Sequence, residues 1–417
     1  MVLAGASGLL MLACSSAHAE PVEQPNPGPT AMSEARLAAL DAEFARRVRE
    51  GEAAGYAYII ARNGQIMHSG AAGVRTLGGP AMSENTLFRI ASMTKPVTSV
   101  AVLRLVEQGK LSLDDPVADF LPEIDAMQVR QPDGSTRPPA RPIRVRDLLT
   151  HLSGIGYRFD EETALGREYV VAAPYERAAS LEEAVAMIGQ RDLFFDPGSR
   201  FLYSYGLDVA GRLIEVVTGV TFDAFLRAEI FDPLAMHDTG FLVPPEKRER
   251  LATVYGKNDD ANLSPRRGDV FGDPLNPATW PSGGAGLIST PRDYIRFAMM
   301  LENGGSLEGV QVLSPASLNL MTADHMPRAL REKVAGTPLE AMGLGLGVAV
   351  TLAPQQGGTL SGRGDFGWGG YYDTQFFVSP EYGIAAVIMT QYEKSPGEPD
   401  RDTLETFKTL TLAAVMR

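Results

Sequence analysis

Ser92 and Lys95 stand three residues apart in the stretch Phe88-Arg89-Ile90-Ala91-Ser92-Met93-Thr94-Lys95-Pro96. On a helix that spacing puts both side chains on one face. A hydroxyl is a weak nucleophile until something takes its proton, and a neighbouring amine is one way to do so. The pair alone also fits an ordinary helix start with a solvated lysine. A nucleophile further needs a proton carrier, oxyanion donors and an acyl pocket. Histidine offers little. After residue 19 only His68, His151, His237 and His325 remain, and neither a Gly-x-Ser-x-Gly elbow nor a His-Glu-x-x-His spacing occurs.

Tyr203 is the better proton carrier. It lies in Phe201-Leu202-Tyr203-Ser204-Tyr205-Gly206, after the turn Asp196-Pro197-Gly198 and before a helical pattern. A lysine ammonium beside a phenol favours the phenolate, which can act as a base near neutral pH. The plainer reading is a half-buried loop tyrosine. The third element is Asp365-Phe366-Gly367-Trp368-Gly369-Gly370-Tyr371, which leads into a strand. Its glycines let backbone approach a substrate closely. An N–H after Gly370 could be one oxyanion donor and the Ser92 N–H the other. The plainer reading is a glycine bulge.

These residues must be held by elements that the pattern also specifies. Leu37, Leu40, Phe44 and Val48 recur at helical spacing from Glu34 to about Arg49, with Ser33 placed to cap. Asn63-Gly64 predicts a hairpin between Tyr56–Ala61 and Gln65–Ala71. The Ser92 helix runs to Gly109, with Pro96 in its first turn, where a missing N–H costs little. Helices and loops dominate from Leu111 to about Pro281, among them Leu181–Ile188, Leu207–Val217 and Phe222–Phe231. Glu246 to Asn276 is polar and reads as a long surface excursion. Pro291–Leu301 is a helix. Leu344–Thr351, Tyr372–Ser379 and Gly383–Gln391 read as strands, the last two joined at Pro380-Glu381, and Thr403–Met416 is a terminal helix. Strand signals at both chain ends imply an α+β fold: one antiparallel sheet flanked by helices (residues 33–110 and 285–417), with a mainly helical domain (111–284) inserted. Ser92 then faces the cleft between them.

Bulk properties set the outer bounds. The 417 residues carry a net charge of −13, which argues against a nucleic-acid partner or an anionic membrane surface. Cys14 is the single cysteine, so neither an intrachain disulfide nor a cysteine metal site can form. No metal or cofactor is expected. Residues 1–19 read as an export signal, with Leu9 to Ala13 apolar and Ala17-His18-Ala19 as the cleavage site, although no Lys or Arg precedes the apolar run. The expected destination is the periplasm. Leu12-Ala13-Cys14-Ser15 offers lipid attachment at Cys14 as the alternative. Residues 20–32 are a proline-rich linker. No other stretch is long and apolar enough to span a bilayer.

Together Ser92-Met93-Thr94-Lys95, Tyr203-Ser204-Tyr205 and Trp368-Gly369-Gly370, in that order, resemble the serine β-lactamase-related family, and most of all its family VIII carboxylesterases. Leu148-Leu149-Thr150-His151-Leu152-Ser153-Gly154, Phe231-Asp232-Pro233-Leu234-Ala235-Met236 (with Ala235 for the usual glycine) and Gly286-Leu287-Ile288-Ser289-Thr290 with Asp293 resemble supporting motifs of that family. The resemblance implies that Ser92 is acylated, that Lys95 and Tyr203 share its deprotonation, and that the N–H groups of Ser92 and Tyr371 hold the oxyanion. Trp368, Gly369, Gly370 and Tyr205 would border the substrate, and His151 and Ser153 would be structural. Class C β-lactamases carry Asn where this chain has Tyr205, and Lys-Thr-Gly where it has Trp368-Gly369-Gly370. Both changes favour a neutral small-molecule ester over a lactam. A β-lactamase, a D-alanyl peptidase, an acyltransferase and a catalytically dead penicillin-binding-type sensor stay open as alternatives.

Overall fold

The structure, a computed structural model, describes residues 31–334, 338–354, 359–395, 397–399 and 401–416. The expected export signal and the linker up to residue 30 lie outside the described residues. The chain starts with α1 (Glu34–Arg49), followed by the hairpin β1 (Gly55–Arg62) and β2 (Gln65–Gly73). Ser33 makes no side-chain cap. Its N–H instead donates to the Ala414 carbonyl (2.8 Å), which ties the start of α1 to the terminal helix.

Next come α2 (Thr94–Glu107), α3 (Val145–Leu149), α4 (Gly206–Thr218) and α5 (Pro291–Glu302). Further helices at Leu181–Gly189 and Phe222–Leu226 lie within the inserted part, and the second continues as a π turn, Arg227–Phe231. The chain then returns as β3 (Met342–Leu344), β4 (Ala349–Thr351), β5 (Phe366–Gly369), β6 (Gln375–Ser379) and β7 (Ile384–Met389), and ends in α6 (Thr403–Ala413).

These strands form one seven-stranded sheet in the order β3-β4-β5-β6-β7-β1-β2, with every neighbour antiparallel. The two chain ends meet where β7 pairs with β1, Ala57 with Met389 and Tyr58 with Ile388. Every residue of β1 is buried, because both faces of the sheet are covered. Tyr56, Tyr58 and Ile60 pack with Leu40, Phe44 and Phe407 of α1 and α6. Ala57, Ile59 and Ala61 belong to the larger core that includes Val97, Val100 and Leu103 of α2 and Tyr294 and Phe297 of α5. The α+β architecture expected from the strand signals is what forms.

Three segments differ from the expectation. Leu344–Thr351 is not one strand. It splits into the edge of β3 and all of β4, with Gly345 N–H bonded to the Val348 carbonyl and Gly347 left-handed at φ 71°. The segment of Trp368 is itself strand β5, paired to β6 as Trp368 to Phe376. Glu246 to Asn276 is less superficial than its polarity implies. It buries Val254, Tyr255 and Phe271 and forms the small hairpin Tyr255–Lys257 with Leu263–Pro265. Its apolar residues are too few to register as a pattern.

Candidate active site

Ser92 lies just ahead of α2, in the single 3-10 turn Ala91–Met93. Phe88–Arg89 pairs with Ile288–Ser289, and the Ile90 N–H donates to the Leu287 carbonyl (3.0 Å). Ala91 then takes a left-handed backbone at φ 43°, which few residues other than glycine adopt without support. The kink presents Ser92 at the start of a helix that is buried almost throughout.

Two groups meet at the Ser92 Oγ. The Tyr203 hydroxyl is 2.6 Å away and the Lys95 Nζ 3.2 Å. Lys95 also donates to the Gly284 carbonyl at 2.7 Å, and its Nζ sits 4.5 Å from the centre of the Tyr203 ring and 5.8 Å from that of Tyr157. The lysine is fully buried. Taking an ammonium out of water is costly unless it is paired and hydrogen-bonded. The carbonyl, the two ring faces and one buried carboxylate, Asp208, offset that cost.

Asp208 was not signalled by any motif. It sits in the first turn of α4 among buried Leu207, Val209 and Ala210, and an acid inside an apolar stripe was the available clue. Its carboxylate accepts from the Ser282 hydroxyl (2.5 Å), the Gly284 N–H (3.1 Å) and the Tyr175 hydroxyl (3.2 Å). Burial pushes its carboxyl above the usual range, while the Ser282 bond and the Lys95 charge oppose that shift. Asp208 therefore anchors the loop whose Gly284 carbonyl receives Lys95.

The segment after β5 closes the site. A turn over Gly370–Thr374 is fixed by Gly370 N–H to the Thr374 carbonyl (2.7 Å) and Asp373 N–H to the Gly370 carbonyl (3.0 Å). The Thr374 hydroxyl donates to the Ile90 carbonyl (3.2 Å), two residues before Ser92. A Cβ at Gly370 would collide with that carbonyl and with the Thr374 hydroxyl, so glycine is what lets the turn approach. Neither the Ser92 nor the Tyr371 N–H is used by a backbone hydrogen bond outside the regular elements. Trp368 is half-buried and stacks on Tyr203 with ring centres 6.3 Å apart and planes 8° apart.

His151 has the bracing position expected for it. Its Nδ1 accepts the Ser204 N–H (3.2 Å), and its ring lies 4.5 Å from that of Tyr203. Burial first, and the Lys95 charge second, hold its pKa well below the usual imidazole value, so it stays neutral. Ser153 is buried, and its hydroxyl accepts the Ile155 N–H.

Tyr205 does not border the site as expected. It is fully buried at the head of α4, packed against Tyr157, Tyr169 and Tyr175. A tyrosine adjoining an apolar helix face gains more by filling the core than by facing a polar opening. A cavity of about 970 Å³ opens elsewhere, between Tyr175–Glu182, Arg212, His237–Lys247 and Asn276–Pro281. Ser92, Lys95 and Tyr203 do not line it, so hydrogen-bonded geometry, not volume, marks the candidate site. Among the described residues no cluster of three His, Cys, Asp or Glu could hold a metal ion.

The pattern of the Beta-lactamase family matches residues 40–411. Esterase EstB of Burkholderia gladioli is 35% identical over 396 residues, covering 88% of this chain and 95% of its own. The lovastatin esterase of Penicillium rubens is 31% identical over 367 residues, covering 79% and 86%. Among solved structures EstCE1, described as a hydrolase with promiscuous acyltransferase activity, superposes with a TM-score of 0.77 at 28% identity, over 90% of this chain and 98% of its own.

Proposed function

We propose that this chain, which belongs to the beta-lactamase family, is a serine carboxylesterase working through an acyl-enzyme on Ser92. The fold and family establish a serine hydrolase of the beta-lactamase fold. The observation that carries the finer reading is the three-way contact of Ser92 Oγ with the Tyr203 hydroxyl and the Lys95 ammonium. In the resting arrangement the Tyr203 hydroxyl donates to the Ser92 Oγ. With Tyr203 as phenolate beside the Lys95 charge, it takes the Ser92 proton as Oγ attacks the ester carbonyl. The oxyanion is received by the Ser92 and Tyr371 N–H groups. Tyr203 returns the proton to the leaving alcohol. Water, deprotonated by the same pair, then attacks the acyl-enzyme and frees the acid.

The ester preference rests on Trp368, an apolar wall where lactam-cleaving relatives place a charge, and on the two relatives named as esterases. Acyl transfer to an alcohol is the second reading, supported by the description of EstCE1. The proposed export signal is separate from this chemistry, and N-terminal sequencing of the mature protein tests it. Purified protein is expected to hydrolyse p-nitrophenyl butyrate, and Ser92→Ala to lose that activity. Nitrocefin turnover faster than ester turnover would reverse the substrate ranking.

A further inference from the structure

Five aromatic side chains form a collar at the reacting serine. Trp368 stacks on Tyr203, and Tyr203 meets Tyr157 edge to face (5.3 Å, 87°). Tyr157 meets Phe159 edge to face (5.5 Å, 72°), and Phe159 stacks flat on Tyr371 (5.6 Å, 6°). Tyr371 lies three residues from Trp368 along the chain, so both ends of the series come from one segment. Its members include the residue whose hydroxyl touches Ser92 and the residue whose N–H is the proposed oxyanion donor. A substrate carbonyl at Ser92 therefore sits among ring faces.

Phe159 is the outermost member. One face is covered by Tyr371, yet half of its surface is exposed (50%). Tyr157 and Phe271 meet it edge to face, and a half-exposed ring held in place by these contacts is a platform for another ring. The guanidinium at this rim, Arg158, lies 5.8 Å from the Phe159 ring, and its two terminal nitrogens already serve Glu176 and the Val270 carbonyl. The rim thus presents flat apolar surface beside a guanidinium that is already engaged.

Building on the esterase reading, we propose that Phe159 is a specificity-determining residue that stacks a flat aromatic ring of the ester, so that aryl-bearing neutral esters are the preferred substrate class. A saturated ring of the same size buries similar area but is puckered and lacks the π face, so the two separate stacking from simple burial. A stacked pair contributes about 2- to 10-fold in an equilibrium or rate constant.

The test compares kcat/KM for benzyl acetate with cyclohexylmethyl acetate, and for ethyl phenylacetate with ethyl cyclohexylacetate. At least one pair should favour the aromatic member by about 3- to 10-fold. Phe159→Leu should bring that ratio to about 1, and Phe159→Tyr should restore it. A ratio near 1 for both pairs in the wild type, or a ratio unchanged in Phe159→Leu, overturns the proposal. If no ester is cleaved, it is the esterase reading that fails. The collar is then judged by calorimetric Kd values for N-ethylbenzamide and N-ethylcyclohexanecarboxamide, where the same preference supports it and equal binding overturns it.

Discussion

Replacing Tyr203 with Phe removes one oxygen and leaves the ring. The ring keeps its stack on Trp368 and its contact with His151, so the fold should lose only about 1 kcal/mol, the net worth of one hydrogen bond. The effect on catalysis should be far larger. Tyr203 is the oxygen closest to the Ser92 Oγ, at 2.6 Å, and in the proposed mechanism it moves a proton in both half-reactions. General acid–base catalysis contributes about 10²- to 10⁴-fold, or ~3–5 kcal/mol of barrier. Lys95 remains 3.2 Å from Ser92, so a trace of activity above that of Ser92→Ala should persist. Steady-state hydrolysis of p-nitrophenyl butyrate should show kcat down by about 10²- to 10⁴-fold, with KM within a few-fold because the ring wall is intact. A thermal melt on the same sample separates chemistry from stability. A kcat within about threefold of wild type at an unchanged Tm would refute the role given to Tyr203.

Gly370→Ala puts a methyl against the Ile90 carbonyl and the Thr374 hydroxyl. It should lower kcat by about 10²-fold, the scale of losing one oxyanion donor, while circular dichroism stays native; full activity would dissociate this turn from catalysis. Asp208→Ala leaves the Ser282 hydroxyl, the Gly284 N–H and the Tyr175 hydroxyl short of a buried acceptor. Denaturant unfolding should report at least ~2 kcal/mol of lost stability. His151 supplies a pH dependence. Its folded-state pKa is depressed by burial and by Lys95, whereas in the unfolded chain it titrates near 6.5. Below about pH 6.5 the unfolded state binds a proton that the folded state refuses, so stability falls as pH falls, by up to ~1.4 kcal/mol per unit for one group. His151→Gln should make the acid limb of a stability–pH profile shallower, and an unchanged slope would contradict the assignment.

Part of the candidate site and of the fold was legible wherever residue type and local spacing sufficed. Ser92 and Lys95 advertise themselves as a pair, and the hairpin at Asn63-Gly64 and the helix Glu34–Arg49 follow from turn chemistry and apolar period. Long-range arrangement was less accessible. That Lys95 rests on the Gly284 carbonyl depends on a contact 189 residues away in sequence, which no local pattern encodes. Asp208 was overlooked because a single acid in an apolar stripe reads as an irregularity until the loop it holds is in view. Tyr205 was misplaced for the converse reason. Tyr203, two residues earlier, points at Ser92, but just ahead of α4 the same side chain type turns into the core. The kink at Ala91 was hidden too, since nothing about alanine announces a left-handed backbone.

The acyl-enzyme itself is the most direct object to measure. Rapid quench of the protein during turnover of p-nitrophenyl butyrate, followed by intact-mass and peptide analysis, should find a butyryl group on the peptide that contains Ser92 and none in Ser92→Ala. A butyryl group on any other residue, or ester hydrolysis by Ser92→Ala at the wild-type rate, would contradict the mechanism.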